Sequence, residues 1–247
     1  MKTAYLRFYE ELNNFLPKEK KKIRFTHQFN NNPTVKDMIE SFDIPHTQVD
    51  LILVNDKSVD FSYIVQDGDN ISVYPVFESL NIKNISKVRE EPLREIKFLV
   101  DFHLGKLARY LRMLGFDTLY QNKYNPSEII KISKSEKRII ISKSRQLLKI
   151  KDITHGYCLT ESNPEKQLKK VLYRFDLYAN INPFSRCIIC NTKLKPVNKE
   201  TVIDKIPEKV KELHQEFATC QNCKKIYWKG THYENMIKFI DRLMSLL

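Results

Sequence analysis

Two cysteine pairs of identical spacing, Cys187-Ile-Ile-Cys190 and Cys220-Gln-Asn-Cys223, lie either side of a 29-residue spacer. Each C-x-x-C bends into a knuckle that offers two sulfurs to one ion, and four thiolates suit tetrahedral Zn(II). In a chain that opens without a secretion signal, this pattern points to a metal before a disulfide framework. The spacer is longer than a zinc ribbon needs, but VIDKIPEKVKELHQEF reads as a helical excursion between knuckles. One structural zinc on Cys187, Cys190, Cys220 and Cys223 is expected. The fifth cysteine, Cys158, falls in an apolar strand and reads as a small core residue.

Carboxylates offer a second chemistry. Asp101 ends the apolar run KFLV, where a metal-binding carboxylate would project from a sheet and where an aspartate would equally cap the helix beginning near His103. Nucleases of such a layout gather three or four carboxylates around one or two Mg(II) or Mn(II) ions, which activate water and neutralise the developing charge. Between residues 96 and 180, Glu128, at a helix start, is the one further acid expected near the same edge of the sheet. Asp117 lies at the entrance of a strand and reads as a turn residue.

Basic and aromatic side chains form a third set, each with two readings. Lys106, Arg109 and Arg112 recur every three residues beside a leucine face, as a phosphate-contacting stripe or a solvated helix surface. Lys143 and Arg145 follow the apolar run RIIIS and add positive charge near the end of that strand. Trp228, Lys229 and His232 follow the second knuckle. They could stack on and neutralise single-stranded RNA, or Trp228 could fill the ribbon's small core and His232 be structural.

The elements that must hold these residues can be read from patterning. Residues 1–79 alternate as strand, strand, helix, strand and strand, with Thr34 and Asp37 capping the helix and Asp67-Gly68-Asp69 turning into the last strand. Residues 80–95 are charged and aperiodic, as a linker is. From residue 96 short apolar strands alternate with helices, which implies a parallel sheet covered on both faces, with functional groups past the carboxyl ends of its strands. Residues 181–247 hold the cysteine pairs and a terminal amphipathic helix.

The chain has 247 residues, 42% of them hydrophobic, with 42 Lys+Arg against 30 Asp+Glu and a net charge of +12. That composition is globular and rules out a disordered chain. The charge is uneven: residues 1–80 carry −3, residues 81–180 carry +10 and residues 181–247 carry +5. A basic excess attracts polyanions through counterion release, so RNA is the expected partner of the last two thirds, a lysine-rich solvated surface being the plainer reading. No apolar run approaches the ~18–20 residues that cross a bilayer, and the first residues lack a signal peptide's apolar stretch, so a cytoplasmic protein without membrane contact is expected.

The N-terminal segment, ending IVQDGDNISVYPVF, resembles the ubiquitin-like and sulfur-carrier β-grasp domains. Carriers end in a free Gly-Gly carboxylate, whereas this chain continues through Phe77-Glu78-Ser79-Leu80, which leaves a docking or scaffolding role for residues 1–80. FLVDFHLGKLARYLRMLGFDTLY, PFSRCIICNTKLKPVNKE and YWKGTHYENM, in that order, resemble the Mut-seven C-terminal RNase family: a PIN-like nuclease domain followed by a zinc ribbon, often behind the same ubiquitin-like domain.

This resemblance implies a β-grasp domain over 1–80, a linker over 81–95, a PIN-like α/β domain over 96–180 and a zinc ribbon with a C-terminal helix over 181–247. It matches Asp101 to the family's first active-site aspartate and the four cysteines to its zinc ligands. Where the family reads LLTRDR, this chain has Ile140-Ile141-Ser142-Lys143-Ser144-Arg145. Where the family has NDYDDAE, this chain has Asn122-Lys123-Tyr124-Asn125-Pro126-Ser127-Glu128. Ser144 therefore replaces a carboxylate, and only Asp101 and Glu128 remain. RNA binding with little or no cleavage is expected. The alternatives are an active nuclease, holding Mg or Mn on Asp101, Glu128 and an acid such as Asp152, and an adaptor whose ubiquitin-like domain docks a protein.

Overall fold

The computed structural model describes residues 1–75, 86–88, 96–122 and 124–245. In the strand β1 (Lys2–Phe8), strict alternation turns Ala4, Leu6 and Phe8 inward and leaves Tyr5 exposed. It pairs antiparallel with β2 (Phe25–Phe29) and parallel with β5 (Asn70–Pro75). Strand β3 (Val49–Val54) pairs antiparallel with β5 and with the two-residue β4 (Lys57–Ser58), giving the order β2-β1-β5-β3-β4. Asn55 and Asp56, with φ of 48° and 63°, make the tight turn between β3 and β4, the left-handed pair that such hairpins require. Helix α1 (Val35–Ser41) starts on a capping box: the Thr34 side chain accepts from the Asp37 N–H, and the Asp37 carboxylate accepts from the Thr34 N–H. It buries Val35, Met38 and Ile39 in the core of this five-stranded domain. The ubiquitin-like arrangement read from the sequence is thus present. The carrier-like tail, Phe77 to Leu80, and most of the expected linker lie outside the described residues. Ser86 and Val88 are described: the Ser86 hydroxyl donates to the Asp50 carbonyl, and Val88 packs on the same core.

A second sheet has the order β7-β6-β8-β9, from β6 (Lys97–Val100), β7 (Asp117–Tyr120), β8 (Ile139–Ser142) and β9 (Gly156–Cys158). β8 pairs in parallel with β6 on one side and β9 on the other. Every residue of β8 is buried, as a parallel strand covered on both faces must be. Four helices alternate with these strands: α2 (Gly105–Met113), α3 (Pro126–Glu136), the one-turn α4 (Arg145–Leu148) and α5 (Pro164–Arg174). The chain then forms an antiparallel sheet of β10 (Leu194–Val197), β11 (Phe217–Cys220) and β12 (Ile226–Trp228), with α6 (Glu208–Leu213) between β10 and β11. Helix α7 (Thr231–Met244) ends the described chain. Among the described residues no helix is long and apolar enough to cross a membrane.

The chain divides into two units. One holds Met1–Leu104, Tyr120–Glu161 and Arg174–Asp176; the other holds Gly105–Leu119, Ser162–Tyr173 and Leu177–Leu247. The first therefore unites the ubiquitin-like segment with strands β6, β8 and β9. Within it the turn His46–Gln48 is buried although all three residues are polar, and backbone carbonyls and the Glu40 carboxylate, 2.6 Å from His46 Nδ1, satisfy them. His46 Nε2 lies 2.9 Å from the Ile153 carbonyl, and Gln48 bridges the backbone of β9. Arg145 and Lys149 both pair with Asp43, and Arg174 pairs with Glu11.

Candidate functional site

The spacing of each cysteine pair closes a knuckle by the same bonds. Cys187 N–H donates to Thr192 and Asn191 N–H to Cys187, at 2.8 and 2.9 Å; Cys220 N–H donates to Lys225 and Lys224 N–H to Cys220, both at 3.0 Å. Asn191 and Lys224, each four residues after its first cysteine, take left-handed φ of 72° and 59°. Strands β10 and β11 pair Leu194 with Cys220 and bring the knuckles together across the spacer. All four sulfurs lie within 4.8 Å of one another, with Cys190 to Cys220 at 3.2 Å and Cys187 to Cys223 at 3.5 Å. A tetrahedral ion with Zn–S bonds of about 2.3 Å would hold its sulfurs about 3.8 Å apart, so the cluster has the dimensions of a four-thiolate metal site. The Tyr227 hydroxyl sits 3.1 Å from Cys187 Sγ. Burial works against ionisation of Cys190, but its bonds with Thr192 and with neighbouring sulfurs outweigh it and hold that thiol below its ordinary value.

A shell of polar side chains steadies the first knuckle. Asn191 is buried; its Oδ1 accepts from the Thr118 N–H and its Nδ2 donates to Asp117, each at 2.9 Å. Arg186 pairs with the same Asp117 at 3.1 Å and donates to the Gly115 and Asn191 carbonyls. Arg112, expected on an RNA-facing stripe, is only 3% exposed. Its Nε donates to the Thr118 carbonyl, and its Nη1 to those of Ile188 and Ile189, inside the first knuckle. The first knuckle, and no property of the helix itself, accounts for the departure. Each step of three residues falls about 60° short of a full turn, so Arg112 flanks the leucine face on the side opposite Lys106, and that is the side where the Ile188 and Ile189 carbonyls meet it. Lys106 and Arg109 remain exposed.

Asp101 is 6% exposed at the end of β6. Its Oδ1 accepts from the His103 N–H at 2.9 Å, so the cap anticipated for the following turn exists. Its Oδ2 accepts from the Ser142 hydroxyl and, at 3.0 Å, from the Lys143 N–H at the end of β8. The exposed His103 ring places Nδ1 3.6 Å from Oδ1. The carboxylate is thus at the carboxyl edge of the sheet, and hydroxyl and N–H donors surround it. Glu128, expected beside it as a second acid, has a different task. It closes a capping box at the start of α3, accepting from the Asn125 N–H while Asn125 Oδ1 accepts from the Glu128 N–H, both at 2.9 Å. The signal was present in Asn125-Pro126-Ser127-Glu128: an N-cap residue, proline in the first turn and an acid three positions on. Asp152, the other candidate acid, pairs with Lys134 at 3.1 Å. Ser144 caps α4, its hydroxyl accepting from the Leu147 N–H. Among the described residues, the cysteine cluster is the one set of three or more His, Cys, Asp or Glu side chains arranged to hold an ion.

Lys143 is exposed beside Asp101, but Arg145 is turned away from the polyanion role read for it. Its guanidinium pairs with Asp43 and lies 4.9 Å from the centre of the Phe15 ring. Trp228 is half-buried and packs against Val202, Ile206 and Phe217, as the core reading has it, while also lining a cleft. Lys229 pairs with Glu216 at 2.5 Å, and His232 is exposed at the start of α7. Cys158 is buried in β9, where burial pushes its thiol up to about 11. Sequence reasoning missed Asn191 and Tyr227 beside the sulfurs and Ser142 beside Asp101; only the polar residue that follows each C-x-x-C hinted at the first.

Against known protein families, the model of the Mut7-C RNAse domain matches residues 96–240 and that of the Mut7-C ubiquitin domain matches residues 1–81. No curated protein and no solved structure matches the chain. The first match takes in Asp101 and both cysteine knuckles and ends inside α7, and the second covers the whole five-stranded domain: the chain belongs to the Mut7-C RNAse domain family and carries that family's ubiquitin domain at its N-terminus.

Proposed function

We propose that this ribonuclease-like chain binds RNA through its C-terminal two thirds and cleaves it weakly or not at all with Mg(II) or Mn(II). The observation that carries this reading is the occupancy of Asp101. Its two oxygens already accept from Ser142, Lys143 and His103, Ser144 offers a hydroxyl where a carboxylate would be needed, and among the described residues no group of three carboxylates is arranged to hold an ion. In-line attack on a phosphodiester needs cations held at the phosphate, and hard cations need several converging carboxylates. The net +10 and +5 of residues 81–180 and 181–247 support polyanion binding, with Lys106, Arg109, Lys143, Trp228, Lys229 and His232 as its exposed or half-exposed contacts. In the same reading the cysteine cluster holds zinc as a structural ion, its four soft donors leaving no open position for catalysis.

The test incubates wild type, Asp101→Asn and Ser144→Asp with labelled single-stranded RNA and Mn(II). Wild type should bind RNA with strong salt dependence and leave it intact. Ser144→Asp should gain cleavage, because an aspartate puts a carboxylate where Ser144 has a hydroxyl, just past the end of β8. Wild-type cleavage that Asp101→Asn abolishes would defeat the reading.

A further inference from the structure

The three-stranded sheet, the segment before the first knuckle and α7 enclose a cleft of about 680 Å³, within the size range of small-molecule pockets. Its walls include the half-exposed rings of Phe184, Tyr227, Trp228 and Tyr233; Lys199 and Lys229 flank it together with Glu200 and Glu216, the last paired with Lys229. We propose that this cleft takes unpaired nucleobases of single-stranded RNA, stacking them on its rings with Lys199 at its rim against an adjoining phosphate. The inference rests on the RNA-binding reading above and assigns it a place and a kind of strand.

Four features on one surface select this occupant. Several aromatic rings offer π-faces, which any base can use, so the site suits a strand and needs no particular sequence. Bases in a duplex hide their faces in the stack, and a concave cleft admits only those splayed out of it. Asn198 and Gln215 place carboxamides in the lining, groups that both donate and accept as base edges do. The surrounding segment, residues 181–247, carries +5, which complements a polyanion. The knuckle makes the walls rigid: Tyr227 is tied to Cys187, and Phe184 packs on Tyr233 with ring centres 4.5 Å apart. A preformed cleft loses little freedom when a base enters.

Trp228 is the single tryptophan of the chain, so its fluorescence reports on the wall of this cleft and the small core behind it. The experiment titrates the full-length zinc-loaded protein with a short oligoadenylate, an abasic oligonucleotide of equal length and charge, and an RNA duplex. Anisotropy of the labelled nucleic acid reads binding anywhere on the protein. Oligoadenylate should quench Trp228 saturably, and the abasic strand should bind about ten-fold more weakly, the loss expected when base stacking is removed. Tyr233→Ala and, at the rim, Lys199→Glu should each weaken the quenching titration while circular dichroism and zinc content stay as in wild type. Equal binding and quenching by the abasic strand would overturn the proposal, as would RNA binding by anisotropy with no change at Trp228. Both of those outcomes leave the broader RNA-binding reading standing. Absence of RNA binding by either readout would remove both.

Discussion

The carboxamide of Gln48 pairs with the edge strand carrying Cys158 much as another strand would: its Oε1 accepts from the Cys158 N–H at 3.3 Å, and its Nε2 donates to the Gly156 carbonyl at 3.1 Å. Strand β9 is the last in its sheet, and an open edge offers unpaired backbone groups to other chains. The ubiquitin-like domain thus supplies the missing partner from a buried turn.

Removing that partner should be costly. Gln48→Leu leaves a buried N–H and carbonyl without bonds, and we expect a loss of about 2 kcal/mol by urea denaturation, since each unsatisfied group costs about 1–3 kcal/mol. Gly156→Ala should also destabilise, because its Cβ would stand 2.5 Å from Leu148 Cδ2 and 3.3 Å from Thr47 Oγ1. Stability of both variants equal to wild type would show that the turn does not brace the sheet.

Acid should loosen the same region. Lys149, hydrogen-bonded to Asp43, and Arg145 beside it outweigh burial and hold the Asp43 carboxyl below its ordinary value. A lowered carboxyl contributes stability above its unfolded pKa and loses it as pH falls through the folded one. Asp43→Asn should therefore cost less than about 1 kcal/mol at neutral pH, the site being half exposed. The difference from wild type should vanish in acid, below the folded value. Urea midpoints measured across that range check the sign.

Arg109 and Arg112 should separate function from stability. Arg112→Met leaves three backbone carbonyls without their donor and should destabilise the knuckle unit by about 3 kcal/mol, read as a thermal shift. A Lys106→Glu/Arg109→Glu variant should keep its stability and bind RNA more weakly. Its slope of log affinity against log salt should fall by about 0.7 for each phosphate that the variant no longer neutralises.

Metal removal should act on the C-terminal unit. Chelation, or Cys220→Ser, should unfold the cysteine segment, because thiolate ligation couples ion binding to folding. Loss of protection in hydrogen exchange should be confined to the unit holding the knuckles and should spare β1 to β5. Elemental analysis of protein expressed in zinc-replete medium should find one zinc per chain; none would refute the site.

Much of this fold is legible locally. Alternation in TAYLRFY, the apolar run of β8, the Thr34 and Asp37 capping box and the repeated C-x-x-C each reside within a few residues, and each formed the element its pattern implies. Asp101 at a strand end was legible for the same reason. The fate of a charged side chain depends instead on what a distant segment places beside it. Arg145 meets Asp43 from 102 residues away, and Arg112 meets Ile189 from 77. No periodicity encodes either meeting, so both arginines read as surface charge until folding assigned them partners. Glu128 marks the boundary between the two kinds of information: its capping box was local and readable, whereas whether its carboxylate could also serve Asp101 was a question only the tertiary structure could pose. Sequence by itself determined the principal strands and helices of residues 1–174, the family and the four sulfurs, but not the three strands that carry the knuckles. Tertiary structure decided which charges remain free to act, because burial and hydrogen-bond saturation are properties of the assembled chain.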